Sequence, residues 1–160
     1  APPAEIRMLP VETAGEMAEA VNEVVGSGID MAVFTAAVAD MTPRAPVPGK
    51  MRKKDIPEAL YVEKTTDILR EVVAGDKGPF SIGFAAEVTD FRENAIAKCK
   101  QKGCQLMIGN DVSGELGFGS VNNQIVLVDQ ERVIAQYGPA SKMTCALSVW
   151  ADIVSVYERE

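Results

Sequence analysis

Along residues 17–25 the apolar side chains fall at spacings of three and four, so Met17, Ala20, Val21, Val24 and Val25 share one helical face. Thr13-Ala-Gly-Glu16 precedes them as a capping box, and Gly26 with Gly28 ends the helix. The pattern then changes. Residues 31–37 (MAVFTAA) form a continuous apolar run too short for a helix, as in a strand buried on both faces, and this places them at the centre of a parallel sheet. Residues 81–86 (SIGFAA) and 106–109 (LMIG) repeat that pattern. Between these two runs, Asp90-Phe-Arg-Glu93 reads as a second capping box, opening a helix that runs to Lys102 and stops at Gly103. Shorter segments complete the reading: a strand at 5–11 limited by Pro10, a strand at 60–63, and a helix at 66–73 capped by Thr65 or Thr66. Beyond a Gly-rich stretch at 114–119, residues 123–128 and 132–137 pair as a hairpin. Ser141 caps a last helix, on which Met143, Leu147, Trp150, Val154 and Tyr157 share a face.

Strands alternating with helices predict an α/β sheet with right-handed crossovers, closed by a C-terminal antiparallel hairpin. In such sheets ligands sit beyond the carboxyl ends of the strands. The loops after Ala37, Ala86 and Gly109 are therefore the places to look for a site. No internal repeat or domain boundary interrupts the 160 residues, which read as one domain.

Composition narrows the chemistry. The chain has no histidine, so no Ser-His-Asp or Cys-His relay and no imidazole metal ligand can come from it. A net charge of −7, from 16 basic and 23 acidic residues, argues against binding nucleic acid polymers. Three cysteines, Cys99, Cys104 and Cys145, without a C-x-x-C, indicate neither a disulfide framework nor a zinc knuckle, and a cytoplasmic location is expected. No apolar run has the length of a membrane span.

Against the acidic background, seven of the 16 basic residues fall in 50–54 and 98–102. The first group, Lys50-Met-Arg-Lys-Lys54, closes a Pro-rich loop that leaves a strand end, where cations can clamp a polyphosphate; a solvated charge run is the competing reading. The second puts Lys98 and Lys102 one turn apart at a helix C-terminus, where they complement the helix dipole and repel each other unless an anion intervenes. Lys64-Thr-Thr-Asp-Ile-Leu69 opens a helix whose first amides can face a ligand, and Phe84 near a strand end can stack on a base or pack in the core. Neither Gly26-Ser-Gly28 nor the glycines of 114–119 stand between a strand and a following helix, so dinucleotide-dependent redox chemistry has little support.

Taken in order, Ala36-Ala-Val-Ala-Asp40, Lys50-Met-Arg-Lys-Lys54, Lys64-Thr-Thr-Asp-Ile-Leu69, Gly83-Phe-Ala-Ala-Glu87, Lys98-x-x-x-Lys102-Gly103 and Asn110-Asp111 resemble phosphopantothenoylcysteine synthetase, from about Val11 to the C-terminus. The resemblance implies a Rossmann-like fold, a homodimer, and the joining of 4′-phosphopantothenate to L-cysteine with CTP. In that family the substrate carboxylate attacks the α-phosphate to give an acyl-cytidylate and pyrophosphate, and the cysteine amine displaces CMP, so the resemblance implies the same course here. It implies Lys50 as the catalytic lysine, with Asp40, Lys50, Thr66, Asp67, Ile68, Leu69, Phe84, Lys98 and Lys102 binding the nucleotide and Ala36 with Ala37 lining the reacting end. Mg2+ is expected on the phosphates, with no protein metal ligands.

Two departures accompany the resemblance. Thr65-Thr66-Asp67-Ile68 stands where the family reads Thr-Pro-Asp-Ile. The family's first strand, its Gly- and Ser-rich loop and the Asn that holds the acyl group are expected upstream of residue 1, making 1–160 a synthetase domain truncated at its N-terminus. The flavin-dependent phosphopantothenoylcysteine decarboxylase that often precedes the synthetase is an expected fusion or associated partner, and no flavin chemistry is assigned to these residues. An ATP-dependent form of the ligase and a non-catalytic nucleotide-binding module are the alternatives.

Overall fold

A computed structural model describes residues 6–114 and 121–159. The helices are α1 (Ala14–Gly26), α2 (Ile68–Ala74), α3 (Phe91–Lys102) and α4 (Lys142–Tyr157). The strands are β1 (Met31–Phe34), β2 (Met41–Pro43), β3 (Val62–Lys64), β4 (Phe80–Glu87), β5 (Leu106–Asp111), β6 (Asn122–Val128) and β7 (Val133–Ser141). Five strands form one sheet in the order β1-β4-β5-β6-β7, parallel across β1, β4 and β5 and antiparallel from β5 to β7. This is the expected α/β architecture with its C-terminal antiparallel hairpin. β2 and β3 pair separately as a short antiparallel ribbon within the 40–64 excursion.

Each sheet face buries its own core. Phe80, Ile82, Leu106, Ile108, Ile125 and Leu127 meet Cys145, Val149 and Ile153 of α4 on one side. On the other, Ala85, Met107, Val126 and Val128 meet Ala95 and Cys99 of α3, with Leu69 and Val73 of α2 packed against them. Glycines in the strands let helices come close. A Cβ at Gly109 would stand 2.8 Å from the Ala95 Cβ and 3.0 Å from the Phe91 carbonyl, so only hydrogen fits between β5 and α3.

Local chemistry sets several boundaries. Thr13 Oγ1 accepts from the Glu16 amide while the Glu16 carboxylate accepts from the Thr13 amide, completing the first capping box. Gly103 ends α3 with φ 76°, the left-handed region that favours glycine, and Ser141 caps α4 by accepting from the Thr144 amide.

Several expectations fail for identifiable reasons. Among the described residues β1 stands at the end of the sheet and not at its centre: it pairs there with β4, none of its residues is buried, and Val33 is 43% exposed. An apolar run shows that a strand is able to be covered, whereas its position depends on how many neighbours pair with it. Residues 6–11 form no strand, and Ile6 and Met8 are exposed; Pro10 removes a ladder donor, and among the described residues no partner strand lies beside them. Glu5 and most of the Gly-rich stretch fall outside the described residues. α2 is capped by Asp67, whose carboxylate accepts from the Arg70 amide, rather than by Thr65 or Thr66. The Asp90 capping box does not form, because Asp90 adopts φ 45° and its side chain makes no cap bond. α4 buries Cys145, Val149 and Ile153, leaving Met143, Leu147 and Trp150 exposed. Both stripes have helical spacing, and the sheet surface accepts the slimmer one.

Candidate functional site

A cleft of about 730 Å³ opens at the carboxyl ends of β1 and β4, within the size range of small-molecule sites. Its first wall is the chain leaving β1, residues 35–40. Thr65 ties this wall to the segment before α2: its amide donates to the Asp40 carbonyl at 3.0 Å and its hydroxyl donates to the Ala39 carbonyl. Asp67, Ile68 and Leu69 follow directly, so two segments distant in sequence face the cavity together. The end of β4 contributes Phe84, a residue 37% exposed although its neighbours Ile82 and Ala85 are buried. α3 supplies the remaining wall through Lys98, Gln101 and Lys102, and α1 closes the apolar end with Met17 and Val21.

The structure therefore brings together Ala36, Ala37, Asp40, Thr66, Asp67, Ile68, Leu69, Phe84, Lys98 and Lys102. Lys50 stands apart, on an exposed loop that does not line the cleft. Its neighbours are solvated too: Arg52 pairs with Asp55 at 2.9 Å, so part of the cationic run is neutralised locally. Asn110 and Asp111, at the end of β5, also lie outside the lining.

Both α3 lysines are held by carboxylates. Lys102 Nζ lies 2.5 Å from Asp67 Oδ2, while Asp67 Oδ1 caps α2, so one aspartate joins the two helices across the cleft wall. Lys98 Nζ lies 2.6 Å from Glu87 Oε1 at the end of β4. The like charges one turn apart on α3 are thus each matched by an anion, which removes the repulsion that their spacing creates. Near the end of α3, Cys99 and Cys104 are both buried, with their sulfurs 3.8 Å apart. The hydrogen bond shared with Cys104, in which Cys99 keeps the proton, and burial push Cys99 well up, whereas accepting that bond and the nearby Lys102 charge draw Cys104 down.

Sequence reasoning missed Gln101, between the two lysines on the same helix, and the stitching role of Thr65. Gln101 is one helical turn from Lys98, a spacing that could have flagged it. No local pattern marks Thr65, because its partners lie 25 and 26 residues away. Among the described residues no group of three His, Cys, Asp or Glu side chains is gathered as for a metal ion, and no helix is long and apolar enough to cross a membrane.

Comparison with known proteins gives consistent matches. Residues 1–157 match the family described as DNA/pantothenate metabolism flavoprotein C-terminal domain. The Coenzyme A biosynthesis bifunctional protein CoaBC of Bacillus subtilis is 32% identical over 149 residues, covering 92% of this chain and 36% of that protein. Its counterpart in Vibrio parahaemolyticus is 37% identical over 129 residues, covering 78% of this chain and 32% of that protein. The chain thus spans about a third of the length of these curated relatives. Among solved structures, the C-terminal domain of Coenzyme A biosynthesis bifunctional protein CoaBC superposes with a TM-score of 0.76 at 25% identity, covering 100% of this chain and 70% of that one.

Proposed function

The chain belongs to the DNA/pantothenate metabolism flavoprotein C-terminal domain family, and we propose that it carries the nucleotide site of a phosphopantothenate–cysteine ligase acting with CTP. The observation that carries this reading is the convergence on one cleft of ten of the eleven residues expected to contact the nucleotide or the reacting carboxylate, from segments spread over residues 36–102. The relatives named for coenzyme A biosynthesis support the same pathway.

Activation joins two anions, a carboxylate and a triphosphate, and the barrier falls when fixed cations offset their repulsion. In this reading Lys98 and Lys102 receive the triphosphate, their ammonium groups already ordered by Glu87 and Asp67. The exposed face of Phe84 offers a stacking surface for the base, and the backbone at Ala36 and Ala37 orients the reacting end. The carboxylate of 4′-phosphopantothenate attacks the α-phosphorus, its bond to pyrophosphate breaks, and the amine of L-cysteine then displaces CMP to form the amide. Magnesium would travel with the nucleotide on phosphate oxygens, leaving the chain to supply cations. Cytoplasmic action as a homodimer, fused to or associated with the flavin-dependent decarboxylase, belongs to the same proposal.

A nucleotide-binding module without turnover is the second reading, favoured by the position of Lys50 outside the cleft. Calorimetry with CTP, ATP and NADPH, together with pyrophosphate release from CTP and 4′-phosphopantothenate, separates the readings. CTP binding weakened tenfold or more in Lys98→Ala, roughly the worth of one hydrogen bond to a charged group, supports the site. Preference for ATP selects the ATP-dependent ligase; preference for NADPH refutes a ligase. Binding without pyrophosphate release selects the module.

A further inference from the structure

We infer that Glu87 is the positioning residue for Lys98: it holds the ammonium group at the cleft wall, so that an incoming triphosphate meets a cation already in place. The inference rests on the nucleotide reading of the cleft. Glu87 is the last residue of β4 and shares the α3-facing side of the sheet with Gly83 and Ala85. Its side chain is 11% exposed, against 46% for Lys98, and it does not itself line the cleft.

A carboxylate so far from water is costly unless it is matched, and its matches here come from a single helix face. Oε1 lies 2.6 Å from Lys98 Nζ, a charge-to-charge contact outside hydrogen-bond angles. Oε2 accepts from Asn94 Nδ2 at 3.4 Å, and the same nitrogen donates to the Thr89 carbonyl at 2.9 Å. Asn94 and Lys98 are one turn apart on α3, so Glu87 is gripped along that turn. Its backbone is held as well, because the Val112 amide donates to the Glu87 carbonyl at 2.9 Å. Glu87 is therefore anchored while Lys98 reaches the cavity.

This arrangement differs from that of Asp67 and Lys102. Asp67 lines the cleft and would meet a ligand directly, whereas Glu87 acts through the lysine. An ammonium group has three N–H donors, so pairing with Glu87 leaves donors for phosphate oxygens. A lysine already held gives up less rotamer freedom when it clamps a ligand, and the buried carboxylate keeps its partner after binding.

The sign of one substitution tests the idea. If Glu87 were only a negative charge near a polyphosphate, Glu87→Gln would tighten CTP binding. The positioning role predicts a loss of roughly three- to tenfold by calorimetry, the range set by immobilising one long side chain. Glu87→Asp, which keeps the charge, should recover part of the loss, and it serves as the second variant if Glu87→Gln does not fold. On a Lys98→Met background, Glu87→Gln should change CTP affinity less than twofold, because the lysine through which it acts is gone. Unchanged or tighter binding by Glu87→Gln overturns the proposal, and so does equal weakening on both backgrounds. A parent chain that binds no nucleotide overturns the reading of the cleft itself, a separate result visible in the first titration.

Discussion

Replacing Gly109 by Ala tests how closely α3, which carries both cleft lysines, sits on the sheet. The added methyl would stand 2.8 Å from the Ala95 Cβ, 2.8 Å from the Val126 Cγ1 and 3.0 Å from the Phe91 carbonyl oxygen. Carbon atoms rest about 3.5–4.0 Å apart, so α3 must retreat by about 0.7–1.2 Å or β5 must distort. Ala95 Cβ and Phe91 O are fixed to the backbone and have no rotamer through which to escape. Overpacking of this kind costs about 1–3 kcal/mol, offset by about 0.4–1 kcal/mol from the stiffer unfolded chain. A net loss of about 1–2 kcal/mol is expected, read as a lower urea midpoint at unchanged slope and a fall of roughly 2–8 °C in Tm. Gly83→Ala is the internal control. Its new methyl meets the flexible end of Met107, Cε at 2.6 Å and Sδ at 2.7 Å, which has torsions with which to yield. It should cost less than Gly109→Ala. A Gly109→Ala protein within 0.5 kcal/mol of the parent, or one more stable than Gly83→Ala, would refute the close α3–β5 contact.

Two further outcomes follow from named contacts. Asp67 both caps α2 and pairs with the part-exposed Lys102. Asp67→Ala should therefore lose about 1–2 kcal/mol in urea unfolding, and Asp67→Asn, which keeps a capping oxygen, less than about 1 kcal/mol; the reverse order would show that the cap is not the main contribution. Burial first, and then its hydrogen bond to Asp152, hold the Tyr137 phenol above its ordinary value of 10.0. The unfolded chain ionises first, so this contribution is whole below about pH 10 and declines above it. The stability gap between parent and Tyr137→Phe, followed by denaturation from pH 8 to 11, should be constant at first and then shrink; a gap that widens above pH 10 would contradict the assignment.

Much of the element order was legible because short-range chemistry marks it. The Thr13 box, the left-handed Gly103 and the Ser141 cap each depend on residues within one helical turn, and each forms as read. The Asp90 box has the same letters and fails, since its backbone takes a conformation that turns the side chain away from the amides. In the cleft, Lys98 and Lys102 were visible from their spacing, whereas their carboxylate partners were not. Glu87 precedes Lys98 by 11 residues and Asp67 precedes Lys102 by 35, separations that only the β4–α3 crossover and the α2–α3 contact bridge. Lys50 shows the converse, a conspicuous cation in sequence that the fold leaves on an exposed loop.

By itself, then, the order of residues determined the alternation of strands and helices, the strand ends at which to look for a site, and the absence of histidine from the side chains available there. These follow from backbone preferences and composition, which act locally. The tertiary structure alone decided that β1 stands at the end of the described sheet, that Cys145, Val149 and Ile153 rather than Met143, Leu147 and Trp150 face the sheet, and which carboxylate restrains each lysine. Burial and ion pairing are properties of several segments at once. A stripe or a charge names what is able to pack or pair, and the surfaces folded against it select which does.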